Sequence, residues 1–173
     1  MIRAILLLSL LLCLPIHAQV ELARSKAVEF VKSFYAWYAP FSQTDHIGPS
    51  FETAIKRYPS IFSAELHRAL LSDASAQSKV SGYIVGIDFD PFLNSQDPAG
   101  EYEIDGVTEQ LKRYSFQLHA VIQGRKQQKS AVIAEVEQQS GKWVFVNFRY
   151  PEGTDLLSIL TNSRESRAKK HGR

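Results

Sequence analysis

Six aromatic side chains lie within the twelve residues Phe30 to Phe41 (FVKSFYAWYAPF), and no other stretch restricts the fold as much. Phe30, Phe34, Trp37, Tyr38 and Phe41 fall at i, i+4, i+7, i+8 and i+11, the spacing of one face of an α-helix. Each such ring contributes roughly 1.5–3 kcal/mol when fully buried, before the entropy of ordering it. A face this apolar needs a broad apolar surface opposite it. The C-terminal half, patterned as strands, can supply one.

The rest of the pattern places helices first and strands afterwards. Glu21–Ala39 reads as the first helix, stopped by Pro40, and Phe51–Tyr58 as a short one, stopped by Pro59. Ser63 is the expected N-cap of a helix running to about Ser75, with Glu65 in its first turn and Leu66, Ala69 and Leu70 on its buried face. Val80–Asp88 reads as a short strand, Asp88–Gly100 as a turn-rich loop, and Tyr102–Val107 as extended. Arg113–Gln123 and Ser130–Gln138 alternate apolar with polar residues, joined by a polar connection at Gly124–Lys129. Ser140-Gly141 signals a tight turn into Lys142–Tyr150. There, alternation puts Val144, Val146 and Phe148 on one face and Trp143, Phe145, Asn147 and Arg149 on the other. Leu156–Leu160 reads as a short closing helix. The expected class is α+β, with N-terminal helices packed in a curved antiparallel sheet.

Both ends read differently from this body. Residues 1–18 have the form of a secretory signal peptide: Arg3, then an apolar run from Ile5 to Leu14, then a cleavage site after Ala18. Leu12, before Cys13, argues against lipidation. Cleavage would remove Cys13, the sole cysteine, so the exported domain, residues 19–163, rests on its core without a disulfide. That places the protein in the periplasm or outside the cell, with no transmembrane segment after cleavage. Residues 164–173 hold five Lys or Arg and one Glu, which reads as a flexible basic tail. Without that tail and Arg3 the chain carries a net charge of −3, which argues against nucleic-acid binding.

Motifs of catalysis are missing: no phosphate loop, no dinucleotide fingerprint, no G-x-S-x-G elbow. His46, His67 and His171 show no metal-ligand spacing. No cofactor or metal is expected. The unusual stretch is Asp88-Phe-Asp-Pro-Phe-Leu-Asn-Ser-Gln-Asp97, followed by Pro98. Asp88, Asp90, Asn94, Gln96 and Asp97 admit three readings: a hard-cation site, a set of turn caps, or the rim of a ligand or partner site. Asn147 and Arg149 either line a polar-tipped pocket or reach solvent. His119 and Glu135, on neighbouring strands, are the one candidate acid/base pair.

Three pieces occur in order: FVKSFYAWY, DFDPFLNSQDP and GKWVFVNFRYPEGTDLLSIL. Together, over most of residues 24–160, they resemble the domain-of-unknown-function 3828 family of small secreted bacterial proteins. The Asp90–Asp97 run is the most specific part; Phe145 and Phe148 stand where Ile is frequent. The resemblance implies a cystatin-like cone similar to nuclear transport factor two, and it implies no activity. Related secreted proteins include immunity proteins that neutralise cell-wall-degrading effectors. The leading expectation is a non-enzymatic binding protein that recognises a protein or small molecule through the sheet's open end and the Asp88–Asp97 loop. An immunity protein, or a small enzyme using the cone interior, are the alternatives.

Overall fold

The computed structural model describes residues 16–171 except 81 and 83, so Cys13 and most of the expected signal peptide lie outside it. The elements are α1 (Ile16–Ser42), α2 (Ser50–Arg57), a 3-10 turn (Pro59–Ile61), α3 (Ala64–Gln77), β1 (Tyr102–Gln110), β2 (Arg113–Ile122), β3 (Arg125–Lys126), β4 (Val132–Gln139), β5 (Lys142–Arg149) and α4 (Leu156–His171). The strands form one antiparallel sheet in the order β1-β2-β4-β5, with β3 paired to β2. This is the expected α+β class, with the N-terminal helices packed on the sheet.

Helix α1 buries Ala27, Val31, Phe34, Tyr35 and Tyr38. The spacing is the one read from the sequence, but the buried face is displaced toward Tyr35, leaving Phe30, Trp37 and Phe41 partly buried at its margins. Phe30 and Phe34 meet Phe145 of β5 at ring centroid distances of 4.9 and 4.8 Å. Phe116, Phe145 and Phe148 of the sheet are fully buried beneath α1, so the space between helix and sheet is a filled core. The helix runs past Pro40, its expected stop, because a proline in the last turn removes only one backbone bond. The freed end is closed by Ser42 Oγ, which donates to the Ala39 carbonyl at 2.7 Å.

Three two-residue turns join the hairpins. Leu111-Lys112, Gln123-Gly124 and Ser140-Gly141 all have positive φ at both positions, the backbone that matches the twist of paired strands. Ser63 caps α3 as expected, accepting the Leu66 N–H at 3.2 Å.

Three expectations need correction. First, β5 does not alternate through its length. Its register with β4 shifts between Glu135 and Val136, which pair with Asn147 and Phe145 and leave Val146 as the extra residue of a bulge. Phe145 and Phe148 therefore share the core, their rings 5.2 Å apart. Second, no strand forms among the described residues of 80–88. That segment is held by side chains instead: Gln77 Oε1 accepts from Val85 N and Asp73 Oδ2 from Ile87 N, each at 2.9 Å. Gly86 is required here, since a Cβ on it would stand 2.3 Å from Asp73 Oδ2.

Third, residues 164–171 continue α4 and are not a loose tail. Arg167 Nη1 binds Asp73 Oδ1 at 2.7 Å and the Val85 carbonyl at 2.9 Å. Asp73 is 2% exposed, so its carboxylate needs that cation. One buried acid on α3 thus pins both residues 85–87 and the last turns of α4.

Candidate functional site

The Asp88–Asp97 loop is built around Asp90. Asp90 Oδ1 accepts the N–H groups of Phe92 and Leu93 at 3.0 and 3.2 Å, folding the chain into a tight turn. Oδ2 accepts the Tyr38 hydroxyl at 2.5 Å. The turn drives Phe92 into the core, fully buried against Phe34, Tyr38, Phe62 and Phe148. Burying the turn strands three consecutive carbonyls away from water, and each receives a tyrosine hydroxyl. Tyr150 donates to Pro91 O at 3.1 Å, Tyr35 to Phe92 O at 2.8 Å, and Tyr102 to Leu93 O at 3.4 Å. Burial raises the pKa of all four tyrosines, that of Tyr102 to about 12, so they remain donors. Burial also lifts Asp90 to about 6, against the pull of the Tyr38, Phe92 and Leu93 bonds.

Asn94 and Asp97 serve the same turn. Asn94 takes the left-handed conformation that ends it, and its Nδ2 donates to the Ala131 carbonyl at 3.0 Å. The Asp97 N–H donates to Ser95 Oγ at 3.0 Å. Among the seven residues singled out from the sequence, Asp88, Asp90 and Gln96 face a common cleft of about 530 Å³. Its opposite wall is the α1–α2 connection, with His46, Ser50 and Phe51. Asp90 has its oxygens engaged, which leaves Asp88 as the exposed acid, 3.4 Å from Gln96 Nε2. No Lys or Arg is among the described residues lining the cleft. Ile84 stands 62% exposed on its rim.

Asn147 and Arg149 belong elsewhere. Both lie toward the sheet face opposite the core, where Asn147 pairs with Glu135. Asn147 Nδ2 donates to Asp155 Oδ1 at 2.9 Å and its Oδ1 accepts the Leu157 N–H at 3.2 Å, so it fixes the start of α4. Arg149 Nε binds Glu135 Oε1 at 2.8 Å, and Arg113 binds Glu135 Oε2 at 3.1 Å. Glu135 is consumed by these two cations and is no partner for His119. Glu135 pairs with Ser115, four residues along β2 from His119, a separation of about 13 Å at strand rise. His119 Nδ1 instead donates to the Gln127 carbonyl at 2.8 Å, and Nε2 lies 3.8 Å from Asp105 Oδ2, beyond a hydrogen bond. The expected acid/base pair does not form.

Sequence reasoning weighs His46 only as a metal ligand and does not pair it with Ser50. Its Nδ1 lies 2.6 Å from the Thr44 carbonyl and its Nε2 2.9 Å from Ser50 Oγ. The i, i+4 spacing across Gly48-Pro49, which opens α2 at Ser50, was the available signal. Among the described residues, no group of His, Cys, Asp or Glu has the arrangement of a metal site. No helix among them is long and apolar enough to cross a membrane.

No family profile matches the chain, and no curated protein matches its sequence. A solved structure, a protein of unknown function from Bacteroides thetaiotaomicron VPI-5482 at 2.10 Å resolution, is similar in fold. It is 13% identical, with a TM-score of 0.50 over 78% of this chain and 99% of that one. The likeness concerns the fold alone.

Proposed function

We propose that this is an exported binding protein whose ligand sits in the cleft between the α1–α2 connection and the Asp88–Asp97 loop. The supporting observation is the cleft's composition: an exposed carboxylate at Asp88, a half-buried one at Asp90, no Lys or Arg among the described lining residues, and an exposed isoleucine on the rim. Such a lining suits a small molecule or peptide segment that presents a positive group next to an apolar one. The wall carrying Asp88 is rigid because the turn behind it is part of the core. The signal-peptide form of residues 1–18 supports export to the periplasm or beyond.

The test is an NMR titration of the mature chain with an acetylated Leu-Lys-Leu amide and with its Leu-Glu-Leu counterpart. The Lys peptide is expected to shift the amides of Ile84, Asp88 and Gln96, and Asp88→Asn to weaken it roughly two- to fivefold, as loss of an exposed charge pair does. Equal response to both peptides, or shifts confined to other surfaces, would refute the reading.

A further inference from the structure

We infer that the cleft also carries a serine acyl-transfer centre, with Ser50 as nucleophile and His46 as its general base, acting on carboxylic esters with an apolar acyl group. The tautomer of His46 is set by its surroundings. A carbonyl oxygen can only accept, so Nδ1, 2.6 Å from Thr44 O, carries the ring proton. Nε2 then holds the lone pair and accepts the Ser50 hydroxyl at 2.9 Å. This is the order of nucleophile, base and orienting group that activates a serine, with a backbone carbonyl in the third place. Phe41 holds the ring by stacking at 4.7 Å with planes 22° apart.

Position adds to geometry. Ser50 is the first residue of α2, and its hydroxyl does not cap the helix. The N–H groups of Ser50 and Phe51 have no intrahelical acceptor, and both residues line the cleft. They are the donors available to a developing oxyanion there, aided by the positive end of the helix. Phe51, Ile84, Ile87 and Phe89 give the cleft an apolar side for an acyl chain, and Asp88 disfavours an ester whose acyl chain carries a negative charge.

The step balances within the site. Ser50 Oγ adds to the ester carbonyl carbon while its proton passes to His46 Nε2. The tetrahedral oxyanion collapses, the bond to the alcohol oxygen breaks, and His46 returns the proton to that oxygen. Water, deprotonated by His46 Nε2, then cleaves acyl-Ser50 to release the carboxylic acid and restore both side chains.

The activity shares the cleft with the binding role but does not depend on its preference for cations, since a small neutral probe needs only the dyad. The experiment treats the mature chain with an alkyl fluorophosphonate and maps the adduct by mass spectrometry, with p-nitrophenyl butyrate hydrolysis measured in parallel. The expected adduct is on Ser50, lost in Ser50→Ala and retained in Ser33→Ala, an exposed serine of α1 outside the cleft. His46→Gln is expected to cut hydrolysis about a hundredfold or more, the scale of a lost general base. Circular dichroism of each variant separates unfolding from loss of chemistry. A folded wild type that takes no label, or a label that persists in folded Ser50→Ala, would overturn the inference while leaving the peptide titration unaffected.

Discussion

Asp90 holds the Asp88–Asp97 loop in shape, and its titration makes that role measurable. Its carboxyl is most comfortable protonated, because burial lifts it from 3.8 to about 6. A folded-state pKa above the unfolded value gives stability that is fully present below about pH 4 and is lost as pH rises through 6. The gap of roughly two pH units corresponds to about 3 kcal/mol. Asp90→Asn keeps an oxygen for the Phe92 and Leu93 N–H groups but does not ionise. Urea unfolding from pH 4 to pH 7 should therefore show wild type losing about 3 kcal/mol relative to Asp90→Asn. A constant difference across that range would contradict the assignment. The acidic run is conspicuous in the sequence, yet its cause is invisible there. The hydroxyls that satisfy Pro91, Phe92 and Leu93 come from Tyr150, Tyr35 and Tyr102, residues distant in sequence. A turn cap and a cation loop look alike until those partners are known.

At the level of elements, local signals read well and long-range ones did not. The aromatic period of α1, the Ser63 cap and the Ser140-Gly141 turn depend on near neighbours, and each appears in the structure. The bulge at Val146 defeats alternation because one inserted residue reverses the facing of all that precede it. The end of α4 was misread as a tail because its polar sequence has no apolar face of its own. What orders it is a buried ion pair spanning residues 73 and 167. Removing one member of such a pair leaves the other charge buried and unpaired. Arg167→Ala should thus cost about 3 kcal/mol in chemical denaturation, with the 80–88 segment loosened too. A loss below about 0.5 kcal/mol would mean that the last two turns of α4 are dispensable surface. Of the expected site, Asp88 and Gln96 reach the cleft, whereas Asn147 and Arg149 were grouped with them only because strand alternation exposes polar tips.

The whole molecule is a sheet with α1 on one face and the turn at Asp90–Leu93 wedged into the same core. This makes the cleft a fixed surface: one wall is anchored by Phe92, the other by α2 and the stacked His46. A binding or acyl-transfer site needs such walls, since a displacement of an ångström is enough to spoil a reactive geometry. The same wedge explains why a chain without a cysteine among its described residues needs no covalent staple: Phe34, Phe92, Phe145 and Phe148 form a continuous ring cluster. Native-state hydrogen exchange of the Phe92 and Leu93 amides tests this most directly. The account predicts protection within about tenfold of the core amides of β2 and β4, so that both open only when the whole domain unfolds. Exchange at the rate of an exposed loop, with β2 and β4 still protected, would contradict it.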